Sequence, residues 1–117
     1  MMIKAMKVIA WCLALLVIIL CVIPAPKIVE VSNVDKVEHA LAFAALAFVF
    51  LRAYRHQVIW VITGCVAFGV GIELVQYFIP WRSAELADLV ADIVGVLLGW
   101  MAFIIFSRFR AKSSNHE

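Results

Sequence analysis

The sequence predicts an all-α, polytopic membrane protein with four transmembrane helices. Two observations carry the prediction. The chain has 117 residues and is 67% hydrophobic, with a mean hydropathy of +1.08. A soluble domain is about 45–50% apolar, and a chain this small has too much surface to hide the excess in one core. The apolar residues also fall into four separate runs, and Lys and Arg sit at the ends of those runs. No basic stripe or soluble interior is left for a nucleic-acid-binding or cytoplasmic enzyme domain. The expected organisation is one membrane domain, residues 1–117, with residues 107–117 as a cytoplasmic tail.

A spanning helix needs about 20 mostly apolar residues. The first run covers about residues 8–23, follows Lys4 and Lys7, and stops before Pro24-Ala25-Pro26. It starts like a signal peptide. A cleavage site needs small residues at its last and third-last positions, and Ile23 stands third-last before a cut after Ala25. Ile19 and Leu20 before Cys21 do not fit a lipoprotein site either. An uncleaved signal anchor is the expectation.

The second run covers about residues 37–52. Asp35, Lys36, Glu38 and His39 crowd its start. Ser32 or Asn33 is placed to cap that helix by accepting a bond from a first-turn amide. The third run, about 58–79, ends at Pro80, and the fourth covers about 86–106. The tail that follows is expected to lose order beyond Lys112. Cys12, Cys21 and Cys65 lack metal-site or disulfide spacing and read as small buried hydrophobes.

Orientation follows from the excess of Lys and Arg on cytoplasmic loops. Alternate ends collect Lys4, Lys7, Arg52, Arg55, Arg108, Arg110 and Lys112 on one side, against Lys27, Lys36 and Arg82 on the other. Both termini are therefore expected in the cytoplasm. All the acids except Glu117 then lie at or near the outer side.

Residues three and four apart share a helix face. Lys36 and Asp35 share one with His39, and Phe43 and Leu46 continue it. Glu73 and Gln76 form a second stripe, with Gly69 one turn before Glu73 and Tyr77 one turn after. Asp88 and Asp92 form a third, extended by Gly95 and Gly99. Turning all three inward predicts one polar, outer-facing pocket. Glu73 lies roughly 9 Å inside its segment end, and an acid at that depth must be paired or used. Its roles are general base, proton carrier, cation ligand or structural ion pair. His39 is the second candidate for proton transfer. Arg82 can grip a phosphate or carboxylate with two bonds, or pair with Glu73. Asp92 lacks the helix-start role open to Asp88. No metal or cofactor is expected. Gly69, Gly95 and Gly99 are candidate packing positions, because the Gly-x-x-x-Gly spacing lets helix backbones approach closely.

These three blocks are Asp35-Lys36-x-x-His39-x-x-x-Phe43-x-x-Leu46, Glu73-x-x-Gln76-x-x-x-Pro80-x-Arg82 and Asp88-x-x-x-Asp92-x-x-Gly95-x-x-x-Gly99. In this order and spacing, over about residues 34–106, the chain resembles the VanZ-like family of small bacterial membrane proteins. The family usually has Asn where this chain has Asp92, so this site is more acidic. The resemblance implies a multi-pass protein of the bacterial cytoplasmic membrane, with the lipid bilayer as its partner. The family's named member is associated with teicoplanin resistance. The expected function is binding or modification of a lipid-linked or peptidoglycan-related molecule, possible consequences for glycopeptide susceptibility included. His39 and Glu73 would be catalytic, and Asp35, Lys36, Gln76, Arg82, Asp88 and Asp92 would bind. Two alternatives stand beside it: a small proton-coupled transporter, and a structural membrane protein with no catalytic activity.

Overall fold

No proline interrupts any of the four apolar runs, and each folds as one continuous helix. The computed structural model describes residues 2–22, 32–80 and 86–115. Its helices are α1 (Met2–Val22), α2 (Ser32–Ala53), α3 (Val58–Tyr77) and α4 (Leu86–Asn115). A tight turn joins α2 to α3, closed by the Gln57 amide donating to the Tyr54 carbonyl at 2.9 Å. The last turn of α3 tightens as the Phe78 and Ile79 amides donate to the carbonyls of Val75 and Gln76. Pro80, which has no amide hydrogen, follows directly.

Three helix ends differ from the sequence expectation. α2 starts at Ser32 rather than near Val37, so Ser32 and Asn33, expected as caps, lie within the helix. α1 starts at Met2 rather than near Val8, so Lys4 and Lys7 are helical. α4 continues to Asn115, well past Phe106 and through most of the expected tail. Neither Gly nor Pro occurs after Gly99 to stop it, and Lys112 in its last turn favours the negative end of the helix dipole.

α1, α3 and α4 are long and apolar enough to cross a membrane. α2 has the length, but Asp35, Lys36 and Glu38 lie within its opening turns. The bundle is apolar on its outside. Trp60 is 78% exposed and Leu41 64%, as suits side chains that face hydrocarbon. Cys12 is exposed as well, against the expectation of three buried cysteines. It sits on the outward face of α1, while Cys65 is buried and Cys21 half-buried.

Helices in lipid gain no hydrophobic drive toward each other, so they associate through close packing of small residues. α1 does this with Ala10, Ala14 and Val17, all buried on one face. The most extensive contact joins α2 and α4. These two run parallel: Gly95 abuts Ala40, and Gly99 abuts Ala44, Ala47 and Phe48. α1 and α3 run the opposite way. Trp11 near the start of α1 meets Phe50 near the end of α2, while Gln76 near the end of α3 meets Cys21 near the end of α1. Phe43, Leu46, Leu51 and Val96 are fully enclosed at the centre.

The contrast between glycines gives a test. A Cβ on Gly95 would overlap the Ala40 carbonyl oxygen, which no side-chain rotation relieves, whereas Gly64 and Gly71 have nothing within 4 Å. Gly95→Ala should destabilise the bundle by about 1–3 kcal/mol. Gly64→Ala and Gly71→Ala should be neutral or gain up to about 1 kcal/mol from helix propensity. Thermal unfolding in a mild detergent reads the difference.

Candidate functional site

The parallel α2–α4 contact brings the two polar helix starts together. His39 lies one residue before Ala40, the contact point of Gly95, and Asp92 lies three residues before Gly95. The imidazole and carboxylate meet there, with His39 Nδ1 2.9 Å from Asp92 Oδ1. The side chains are 13% and 2% exposed. A carboxylate can only accept, so with Asp92 ionised it is Nδ1 that carries the proton and donates. The neutral ring then keeps its lone pair on Nε2. In that protonation state one bond fixes both the position of the ring and its tautomer.

α3 closes the site from the side. A Cβ on Gly69 would sit 3.3 Å from Asp92 Oδ2 and 3.3 Å from the Phe43 ring, so the absence of a side chain there lets α3 press on the carboxylate. The buried face of α3 is Cys65, Gly69, Ile72 and Gln76. Tyr77 falls off it and is 74% exposed, which splits the stripe read from the sequence. Glu73 borders this face, half-buried, with its Oε1 enclosed. Asp88 is buried one turn before Asp92. Because α3 and α4 are antiparallel, Glu73 and Asp88 stand at the same level, one turn from Gly69 and Asp92 toward the polar end.

Gln76 does something the sequence does not announce. Its Nε2–H donates to the backbone carbonyl of Cys21 at 3.1 Å, tying the ends of α3 and α1 together. An isolated glutamine pattern gives no sign of such a bond to another helix's backbone. Lys36 is half-buried one turn before His39. Asp35 lies on α2, its side chain outside the described residues, and Arg82 also lies outside them.

The assembled core of the site is therefore His39, Asp92, Gly69 and Phe43, with Asp88, Glu73, Lys36 and Gln76 toward the helix ends. Among the described residues, neither Asp92 Oδ2 nor Gln76 Oε1 accepts a hydrogen bond, although both are buried. A buried acceptor left unsatisfied costs about 1–3 kcal/mol, so these atoms favour a bound proton, water or donor group. No group of three or more His, Cys, Asp or Glu among the described residues is placed to hold a metal ion.

Comparison with known proteins gives the family. The model of the VanZ/LLP1 family matches residues 9–107. The chain is 33% identical over 111 residues to an uncharacterized protein of Schizosaccharomyces pombe, covering 91% of this chain and 68% of that protein. No solved structure matches it significantly.

The geometry orders the Asp92 variants. Asp92→Asn retains an acceptor for His39 and fits beside Gly69, so it should cost under about 1 kcal/mol. Asp92→Leu removes the acceptor, strands a half-buried N–H and crowds Gly69, and should cost about 2–4 kcal/mol. In a double-mutant cycle with His39→Leu, unfolding energies should show a coupling of about 0.5–3 kcal/mol.

Proposed function

The chain belongs to the VanZ/LLP1 family, and on that premise we propose that it binds the polar group of a lipid-linked molecule and moves a proton to or from it at His39. The observation that carries this reading is the part-buried His39–Asp92 bond. A membrane interior excludes unpaired ionisable groups at high cost. An imidazole oriented by a nearly inaccessible carboxylate, whose second oxygen is buried without a donor, is suited to proton transfer. Glu73 serves as a second proton acceptor in this reading, and Asp35, Lys36, Gln76, Arg82 and Asp88 as binding residues, with Lys36 and Arg82 supplying positive charge for an anionic headgroup. A fungal relative favours a lipid-borne ligand over a peptidoglycan-specific one.

The placement that goes with this reading has four spans, both termini in the cytoplasm, and the His39 end of the bundle toward the outside of a bacterial cytoplasmic membrane. α2 crosses as the fourth span: its charges cluster in its first turns, and it follows α4 from Ala40 through Phe48. The distribution of Lys and Arg supports the direction.

A purely structural role is the second reading. It is favoured by the same bond, because His39–Asp92 and Gln76–Cys21 each tie two helices. The two readings part on one experiment. In cells lacking the wild-type copy, His39→Gln and Asp92→Asn should raise or deplete at least one lipid-linked envelope intermediate about tenfold or more, the lower end of general acid–base effects, with folded protein at normal levels. Normal lipid profiles in cells with well-folded variants would remove the functional reading. Topology is tested separately by single cysteines placed in a background without Cys12, Cys21 and Cys65. Ser83→Cys should label from outside and His56→Cys only after permeabilisation; the reverse pattern would invert the placement.

A further inference from the structure

The opposite end of the bundle holds a second feature, independent of the His39 site. α1, α2 and α4 enclose a recess of about 450 Å³ there, whose walls include Arg52, Arg55, Arg110, Ser107, Ile3 and Phe106. Basic residues at one end of a bundle need only topology to account for them. Their convergence on one cavity goes further. The Arg52 guanidinium lies over the Phe106 ring at 4.4 Å, and that of Arg110 lies 5.9 Å from the same ring. Phe48 braces the ring edge-on at 5.8 Å. One aromatic side chain thus holds two like charges near each other. Such cation–π contacts offset part of the repulsion and restrain both side chains.

Nothing acidic neutralises the cluster among the described residues. Their acids are Asp35, Glu38, Glu73, Asp88 and Asp92, all in the opening turns of α2 and α4 or the second half of α3. Two guanidinium groups held against one ring, with Arg55 and the Ser107 hydroxyl on the same recess and no carboxylate among the described residues there, are chemistry for phosphate oxygens. The apolar part of the wall decides what carries the phosphate. Ile3, Met6 and Phe103 continue the surfaces of α1 and α4 that face the bilayer, so an occupant must be charged at one end and apolar at the other. We propose that this recess binds the phosphate headgroup of an anionic membrane phospholipid, its glycerol and upper acyl carbons lying along Ile3, Met6 and Phe103. Basic pockets between membrane helices take such headgroups through electrostatic attraction of this kind.

The test uses the full chain in a neutral detergent, with phosphatidylglycerol, phosphatidylcholine and inorganic phosphate as probes. Bound lipid is counted by native mass spectrometry, and unfolding temperature is followed in parallel. The wild type should retain phosphatidylglycerol at about tenfold lower concentration than phosphatidylcholine, since each nearby basic group contributes about 1 kcal/mol, and should lose the preference at high salt. Arg52→Gln/Arg110→Gln should bind phosphatidylglycerol about tenfold more weakly while phosphatidylcholine binding is unchanged. If that double variant does not fold, Arg55→Gln and Arg110→Gln are measured singly and should each weaken binding severalfold. Equal retention of the two lipids, or an unaltered preference in the folded variants, would overturn the proposal. Stabilisation by inorganic phosphate equal to that by phosphatidylglycerol would also overturn it, assigning the recess to a soluble anion.

Discussion

The close approach of α2 to α4 is the constraint on which the rest depends. Gly95 and Gly99 face Ala40 and Ala44 across the contact, so backbone meets backbone with almost no side-chain volume between. In a bilayer this packing replaces the hydrophobic drive that assembles soluble bundles. It also sets the register of two parallel helices. Register fixes what lies one turn further along, and there His39 reaches Asp92 at 2.9 Å. A shift of one residue would turn these side chains by about 100° and separate them. The small-residue contact and the polar pair are thus two consequences of one alignment.

The same alignment polarises the bundle. The described acids gather at one end, and most of the basic side chains at the other. Between them lies a core that includes Phe43, Leu46, Leu51 and Val96. Each polar end has its own device for holding charge in an apolar setting. At one, an imidazole and a carboxylate share a part-buried bond. At the other, guanidinium groups lie against an aromatic face, where Trp11 Nε1–H also donates to the Tyr54 hydroxyl at 3.0 Å and Lys7 sits 4.9 Å from the Tyr54 ring. Aromatic and basic side chains of this sort belong to the headgroup zone of a membrane protein.

Much of the fold was legible because apolar length is a strong signal. The middles of all four helices follow from it, and so does the inward stripe of His39, Phe43 and Leu46. The far end of α4 was not, because hydropathy falls at Ser107 while helix geometry continues to Asn115; the signal tracks solvent rather than backbone. At the site, residue types were legible and partners were not. Helical spacing placed His39 and Asp92 on inward faces, yet only the depth of the Gly95–Ala40 contact sets them opposite each other. Gln76 had an inward position but no readable destination, since the Cys21 carbonyl is a backbone group with no signature. Arg52 and Arg110 were explained by topology alone. Phe106, four residues before Arg110 on the same helix face, was the available sign that those charges share a surface.

The central claim is that Asp92 holds His39 with Nδ1 as donor. Nitrogen-15 NMR of the histidine side chains in lipid nanodiscs reads this directly, with the His39 signal identified by its loss in His39→Gln. The account predicts a protonated Nδ1 whose hydrogen is shifted downfield by the carboxylate, and the loss of that shift in Asp92→Ala. A neutral ring protonated at Nε2, or a signal indifferent to Asp92, would contradict it.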